Sequence, residues 1–357
     1  MTTCLLALAV ALGAQAPQSS LRELAEAGMK AKQAGDLAAA IRAFEQVAAL
    51  APELAAAHVN LGAALLEAQQ YDKAVLSLRR ALALDSGLPG AHAMLGTALL
   101  IQGYAAEAIP HLERAQSWDL LGVALLESGR TAEAIPALEK AATQRPDDPD
   151  LLYYLGRAHS QLSRQLFDRL LEAHPDSARA HQLLGEAHQA AGNRELAERQ
   201  LRAALERRRN LPGAHLALGE LYESAGDYRR AEREYRTEAE MRPGDARAAM
   251  KLGSVLLNQG RVEEALQWLQ RADRLRPGVP ETQLPLARAW VSAGRLEEAE
   301  KTLKKVLEQE TDARLAESAS FQLYQVLQRQ GRTQEAQREL ERYRRIRAGR
   351  PPAAAAK

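Results

Sequence analysis

Residues 55–88 read AAAHVNLGAALLEAQQYDKAVLSLRRALALDSGL, and residues 246–279 read ARAAMKLGSVLLNQGRVEEALQWLQRADRLRPGV. Both stretches are 34 residues long, and they agree at the positions that matter for packing. The first carries Leu61-Gly62, Leu65, Tyr71, Ala74, Leu78, Ala81 and Leu84; the second carries Leu252-Gly253, Leu256, Gly260, Ala265, Leu269, Ala272, Leu275 and Pro277. Within each half the apolar residues fall three, four and seven apart, which gives one apolar face per helix. A recurrence at this period marks an array of helical hairpins, each burying its face against its neighbours.

Working outward, the same beat runs through most of the chain. Gly28, Gly62, Gly96, Gly122, Gly156, Gly185, Gly219 and Gly253 occupy one repeat position, with Ala287 at the next step. Seven residues further on, Gly35, Gly103, Gly129, Gly192, Gly226, Gly260, Gly294 and Gly331 are placed to end the first helix of a pair. Ala40, Ala74, Ala108, Ala134, Ala197, Ala231, Ala265, Ala299 and Ala336 come early in the second helix, where pairing with the small residue of the first would bring the axes close. Pro52, Pro146, Pro175, Pro243 and Pro277 close the repeats, because proline cannot continue a helix interior.

These residues resemble the tetratricopeptide repeat, whose pattern is a bulky residue, Leu-Gly, a large residue, Ala, an aromatic, Ala and Pro. The resemblance covers about Leu21 to Ala348 in roughly ten repeats. It implies an all-α, right-handed superhelical solenoid of about ten antiparallel helix pairs over residues 17–348, with the first helices lining a concave binding groove. Three departures interrupt it. Only 26 residues separate Gly96 from Gly122, a loss of about eight around Gln116–Trp118. Only 29 separate Gly156 from Gly185, and the turn glycine near Ser160–Ser163 is missing; short helices or tight bends are expected at both places. From Ala287 to Tyr324 there are 37, three extra before the last hairpin. Ser20 with Glu23 three residues on forms a capping box for the first helix. The last helix, Gln334–Arg347, turns Leu340, Tyr343 and Ile346 inward and is otherwise polar, as a solenoid cap requires.

The first twenty residues hold no charge. Leu5–Leu12 is an apolar run followed by Gly13-Ala14-Gln15-Ala16, so residues 1–16 read as a signal peptide or apolar leader, although Met1-Thr2-Thr3 lacks the usual positive charge. The run is too short for a membrane span. A signal peptide places the protein in the periplasm or outside the cell; otherwise the setting is cytoplasmic. Cys4, the one cysteine, precedes the run, so a cleaved chain has no disulfide and no thiol nucleophile. Residues 349–357 read as a disordered tail.

Net charge is +1, so no global nucleic-acid footprint exists. Residues 21–148 hold 11 Lys/Arg against 16 Asp/Glu and residues 149–357 hold 36 against 30, an acidic start and a basic finish. Arg207-Arg208-Arg209 and the arginines after Arg329 are read as solvated, with a soluble cap favoured over an anionic partner. There is no phosphate-cradling glycine loop, no Cys-x-x-Cys and no nucleophile elbow, and the carboxylates fall mostly on solvent faces. No enzyme activity and no cofactor are expected. His58, His92, His181 and His215 share one repeat position, but adjacent packed helices lie about 10 Å apart, too far for two to share a zinc with bonds of ~2 Å; they are read as packing residues. His181 and His188 share a helix without a third ligand.

Binding information lies on the first helices. In the family, ligand-facing residues are the second, fifth, ninth, twelfth and thirteenth of each repeat. The second to fourth repeats place Val59, Leu66, Ala93, Leu100, Ile101, Val123 and Leu126 there; the fifth and sixth place Tyr153, Arg157, Gln161, Gln182, Glu186 and Gln189. The groove thus passes from apolar to polar. Its apolar stripe is either a binding surface or is covered by neighbouring helices. An asparagine ladder is excluded, because only Asn60 fits while Met94, Tyr154, Leu183, Ala217 and Lys251 do not. A clamp for acidic chaperone termini is likewise unsupported, with Ala25 and Met29 where it needs polar side chains. The expected function is a non-catalytic scaffold that binds a protein or peptide, the alternatives being a substrate-recruiting subunit of a separately encoded transferase or other enzyme, or a structural spacer.

Overall fold

The computed structural model describes residues 18–309 and 312–349. The leader read over residues 1–16 and the tail beyond Gly349 lie outside the described residues. Among the described residues there are nineteen α-helices and no strand. The first helices of the hairpins are α1 (Gln18–Gln33), α3 (Ala55–Glu67), α5 (Pro89–Ile101), α7 (Trp118–Glu127), α10 (Ala178–Ala190), α12 (Ala214–Ser224), α14 (Ala246–Asn258), α16 (Pro280–Ser292) and α18 (Ala313–Arg329). Each is followed by its partner: α2 (Leu37–Leu50), α4 (Tyr71–Leu84), α6 (Ala105–Ala115), α8 (Thr131–Gln144), α11 (Arg194–Arg207), α13 (Tyr228–Met241), α15 (Val262–Leu275), α17 (Leu296–Glu308) and α19 (Thr333–Ala348). Between α8 and α10 runs α9 (Pro149–Ala173), a single helix with no partner of its own. Among the described residues the array is therefore nine hairpins and one undivided helix.

Local sequence accounts for the helix ends. Asp36, Ser177, Asp227, Asp245 and Asp312 accept backbone N–H bonds from the first turns of α2, α10, α13, α14 and α18, and an acceptor there satisfies one of four orphan donors. α1 begins at Gln18, so Ser20, expected at its N-cap, lies inside the first turn. Between paired helices the chain reverses through a left-handed residue. At Gly103 (φ +82°), the Gly103 N–H reaches Leu100 O at 3.0 Å and the Tyr104 N–H reaches Leu99 O at 2.9 Å. In the second repeat Gln69 takes this conformation (φ +58°) without glycine's freedom.

The in-register glycines explain how closely the paired helices lie. A Cβ built on Gly62 would sit 2.6 Å from Leu78 Cγ, on Gly96 2.6 Å from Leu112 Cγ, and on Gly219 2.5 Å from Tyr235 Cε1. Ordinary carbon contacts are about 3.5–4.0 Å, so the missing methyl leaves the hole that a Leu, Phe or Tyr of the second helix fills. The glycine's partner is thus this large residue, sixteen positions on. The alanine four residues earlier is fully buried alongside it at Ala40, Ala74, Ala108 and their equivalents, and the Ala265 carbonyl lies 3.1 Å from a Cβ built on Gly253.

The two shortened repeats behave differently. At the first, α6 stops at Ala115 and Gln116 turns left-handed (φ +55°), so that the Ser117 N–H reaches Leu112 O at 3.0 Å before α7 begins at Trp118. The expected tight bend is there. At the second, no bend exists: Ser160–Ser163 lie in the middle of the 25-residue α9. Without a glycine or any other helix breaker between Gly156 and Ala173, each added residue gains a hydrogen bond and the helix continues. In the last hairpin α18 runs 17 residues where most first helices run 13, so the extra residues lengthen that helix.

The chain divides into two parts, through Asp168 and from Arg169. In the first part, one core joins Leu21, Phe44 and Leu65, and a second runs from Val75 through Leu112 and Leu138 to Leu151 and Ala158. In the second part, a continuous core runs from Ala197 through Tyr222, Tyr235, Leu252 and Trp290 to Ala336. Phe321 of α18 and Tyr343 of the mostly exposed cap helix α19 meet at a tilt of 43°, with ring centroids 5.2 Å apart.

Candidate functional site

Within each part, first helices of successive repeats lie against one another: α3 with α5, α10 with α12, α14 with α16, and α16 with α18. They form one layer, called the inner layer, and the positions expected from the repeat pattern to face a ligand are on these helices.

In the first part that layer is apolar but largely spent on packing. Val59, Leu66 and Leu100 are half-buried against the core, and Ala93 and Val123 are half-buried too. Leu126 is 4% exposed and belongs to the core itself, so it offers a ligand almost nothing. Ile101, 54% exposed, is the member of the stripe with free area. On α9, Tyr153 (63% exposed) and Arg157 project outward and Gln161 is half-buried.

In the second part the inner layer opens into a cavity of about 420 Å³ lined by Gln182, Glu186, Gln189, Ala190, Gly213, Leu216, Ala217, Glu220 and Arg247. Three of these, Gln182, Glu186 and Gln189, are groove residues read from the sequence. Helix periodicity puts them on one face of α10, with residues of α12 beside them and Arg247 reaching in from α14. A polar chain orders one wall: Arg179 Nη1 donates to Gln182 Oε1 at 2.5 Å, and Gln182 Nε2 donates to Glu186 Oε1 at 2.9 Å. On the other wall Arg247 Nη2 donates to Glu220 Oε1 at 2.7 Å, while Lys251 Nζ bonds Glu223 Oε2 at 3.0 Å. Glu223 also accepts from the Tyr235 hydroxyl at 2.7 Å. Burial, and then this bond to a carboxylate, hold the Tyr235 phenol far above its ordinary range. The cavity therefore has an apolar floor at Leu216 and Ala217 and charges of both signs around it.

Arg247, Glu220 and Leu216 occupy the second, ninth and fifth places of the eighth and seventh repeats, places expected to face a ligand, and extending the same count by two repeats would have found them. A second cavity, about 350 Å³, is lined by Asp273, Arg274, Gln283, Trp290, Glu298, Lys301 and Lys305 among others. It carries no repeat signature that sequence reasoning could have used.

The four equivalent histidines act as hydrogen-bonded staples. Nε2 of His58, His92 and His215 lies 2.9, 3.1 and 3.3 Å from the carbonyls of Pro52, Ser86 and Arg209, six residues back. Since a carbonyl only accepts, each Nε2–H donates. Nδ1 of His92, His181 and His215 meets a second-helix residue nineteen positions on: His111 Nδ1 at 2.8 Å, Gln200 Oε1 at 2.7 Å and Glu234 Oε2 at 2.7 Å. His92, His181 and His215 thus tie a first helix to its partner, His92 and His215 also hold the turn before it, and His58 bonds that turn. Glu234 raises the His215 pKa; burial, then the neighbouring His92, lowers that of His111. Among the described residues no cluster of three or more His, Cys, Asp or Glu is arranged to hold a metal, and no helix is long and apolar enough to cross a membrane.

Models of the tetratricopeptide repeat match residues 26–89, 89–114, 115–158, 183–228, 216–280 and 256–320. The chain belongs to the tetratricopeptide-repeat family, whose arrays are protein-interaction scaffolds. The matches break off at residue 158 and resume at 183, across the second half of α9. No curated protein matches the sequence. Among solved structures, a crystal structure of MamA is 20% identical, over 46% of this chain and 95% of its own, with a TM-score of 0.42. Residues 41 to the end of MamA from Desulfovibrio magneticus RS-1 are 19% identical, over 48% and 96%, with a TM-score of 0.45. These record a likeness of fold.

Proposed function

We propose that the protein is a non-catalytic scaffold that binds a protein or peptide segment along the inner layer of first helices, with the cavity between α10, α12 and α14 as the main seat. The cavity carries this reading. It is open, its floor is apolar, and Glu186, Glu220 and Arg247 present donors and acceptors at its walls. That combination suits an extended segment, which needs apolar pockets for side chains and polar partners for its backbone. Ile101 supplies a separate apolar contact in the first part.

The test uses charge reversal at exposed positions, because Leu66, Leu100 and Leu126 are engaged in packing and changing them would confound folding with binding. Glu186→Lys, Arg247→Glu and Ile101→Glu are made in the full chain, and partner recovery is quantified by affinity purification and mass spectrometry, with helicity checked by circular dichroism. Loss of one specific partner with each cavity variant is expected. Unchanged recovery with an intact fold refutes the assignment.

A further inference from the structure

Helix α9 has two apolar faces. One, carrying Leu151, Leu155, Ala158 and Leu162, packs into the core of the first part. The other carries Leu152, Leu166 and Phe167, which are 55%, 47% and 47% exposed. Gly156 lies on this second face, and a Cβ built there meets nothing within 4 Å. Every other glycine in its register, from Gly28 to Gly253, is filled by a large side chain of the second helix.

The identity of the exposed residues follows from the repeat. Pro175 stands three residues before the next repeat, as Pro52, Pro146, Pro243 and Pro277 do. Counting back from it, Phe167 is the equivalent of Phe44 and Leu78, the residues that fill Gly28 and Gly62. Leu166 is the equivalent of Gln200 and Glu234, which hydrogen-bond His181 and His215, and Leu152 is the equivalent of those histidines. The fifth repeat thus retains both halves of both contacts. It has lost five residues between them: Gly156 and Phe167 are eleven apart where other repeats have sixteen, and Leu152 and Leu166 fourteen where others have nineteen. On one straight helix, residues fourteen apart are separated by about 21 Å and cannot meet.

We propose that two copies of this chain pair antiparallel through α9, each filling the glycine of the other. Phe167 of one copy enters the hole over Gly156 of the second, and Leu152 meets Leu166 of the second. Both contacts recur about a twofold axis near Ser160–Ser163, where small side chains let the axes cross. The pairing continues the hairpin interface that nine other repeats make within one chain. The face is self-complementary, as a twofold interface must be, and a shortened hinge that exchanges elements between copies is a low-cost route to a dimer.

The experiment uses the full chain with Cys4→Ser. Sedimentation velocity at rising concentration is expected to show a monomer–dimer equilibrium, which Phe167→Glu weakens by about ten-fold or more, as loss of a central aromatic anchor does. Leu152→Cys combined with Leu166→Cys is expected to give a covalent dimer on oxidation, because cysteines on one α9 are beyond the roughly 7 Å Cα limit of a disulfide. Inserting a five-residue turn copied from Ala191–Glu195 after Gln161 restores the hairpin and is expected to give a monomer. A chain that stays monomeric, a disulfide within one chain, or a dimer that survives both Phe167→Glu and the insertion overturns the proposal.

Discussion

Substituting alanine at Gly219 and at Gly156 applies the same chemistry at one repeat position with opposite expected results. Alanine is better than glycine inside a helix by about 1 kcal/mol. At Gly156 nothing within 4 Å opposes the new methyl in a single copy, so Gly156→Ala is expected to stabilise α9 by about that amount. At Gly219 the methyl lands 2.5 Å from Tyr235 Cε1 and 2.6 Å from Cδ1, about 1 Å inside an ordinary contact. The ring cannot swing aside, being fully buried with its hydroxyl bound to Glu223 at 2.7 Å. Overpacking of this kind costs ~1–3 kcal/mol; near the upper end, less the propensity gain, Gly219→Ala is expected to destabilise by about 2 kcal/mol. The two variants should therefore differ by about 3 kcal/mol. Repeat arrays need not unfold in one step, so urea titrations are paired with hydrogen exchange resolved to α9 and to α12–α13, at concentrations where the chain is monomeric. Equal effects at the two sites, or destabilisation by Gly156→Ala, refute the packing account.

Gln69, where the other hairpin turns have glycine, and Gln116, at the bend between α6 and α7, hold left-handed conformations; since that conformation costs an ordinary residue ~1–2 kcal/mol, Gln69→Gly and Gln116→Gly should each stabilise by about 0.5–1 kcal/mol after glycine's unfolded-state entropy is deducted, read from the urea midpoint. His215, raised by Glu234, contributes stability that is fully present below its unfolded pKa of 6.5 and lost as pH rises through its folded value. His111, lowered by burial and His92, contributes stability present above 6.5 and lost as pH falls through its folded value. His215→Gln should flatten the alkaline side of the stability–pH profile and His111→Asn the acid side; profiles unchanged by both variants would falsify the staple assignment.

Most of the fold was legible because its determinants are local. Turn glycines, capping aspartates and a three-four-seven apolar spacing act within a few residues, and repetition multiplied a weak signal nine-fold. The bend at Gln116 was legible for the same reason. The groove was legible in position but not in availability. Leu126 and Ile101 are apolar residues at adjacent places of their respective repeats, yet one is core and the other exposed, a distinction set by which helices stack beside them. The histidines showed in the sequence as a shared position, but their partners six residues back and nineteen on are defined only once two helices and a turn have packed.

The amino-acid sequence by itself determined that this chain is an array of helical hairpins, since each repeat states its own helix starts, turns and interlocking glycine. Only the tertiary structure decided what happens where a repeat is incomplete. A loss of residues reads the same at Gln116–Trp118 and at Ser160–Ser163. At the first, a left-handed residue could be reached at modest cost, so the chain turned. At the second, continuing the helix satisfied every backbone hydrogen bond, which left Gly156 and Phe167 on one straight rod with their packing partners missing.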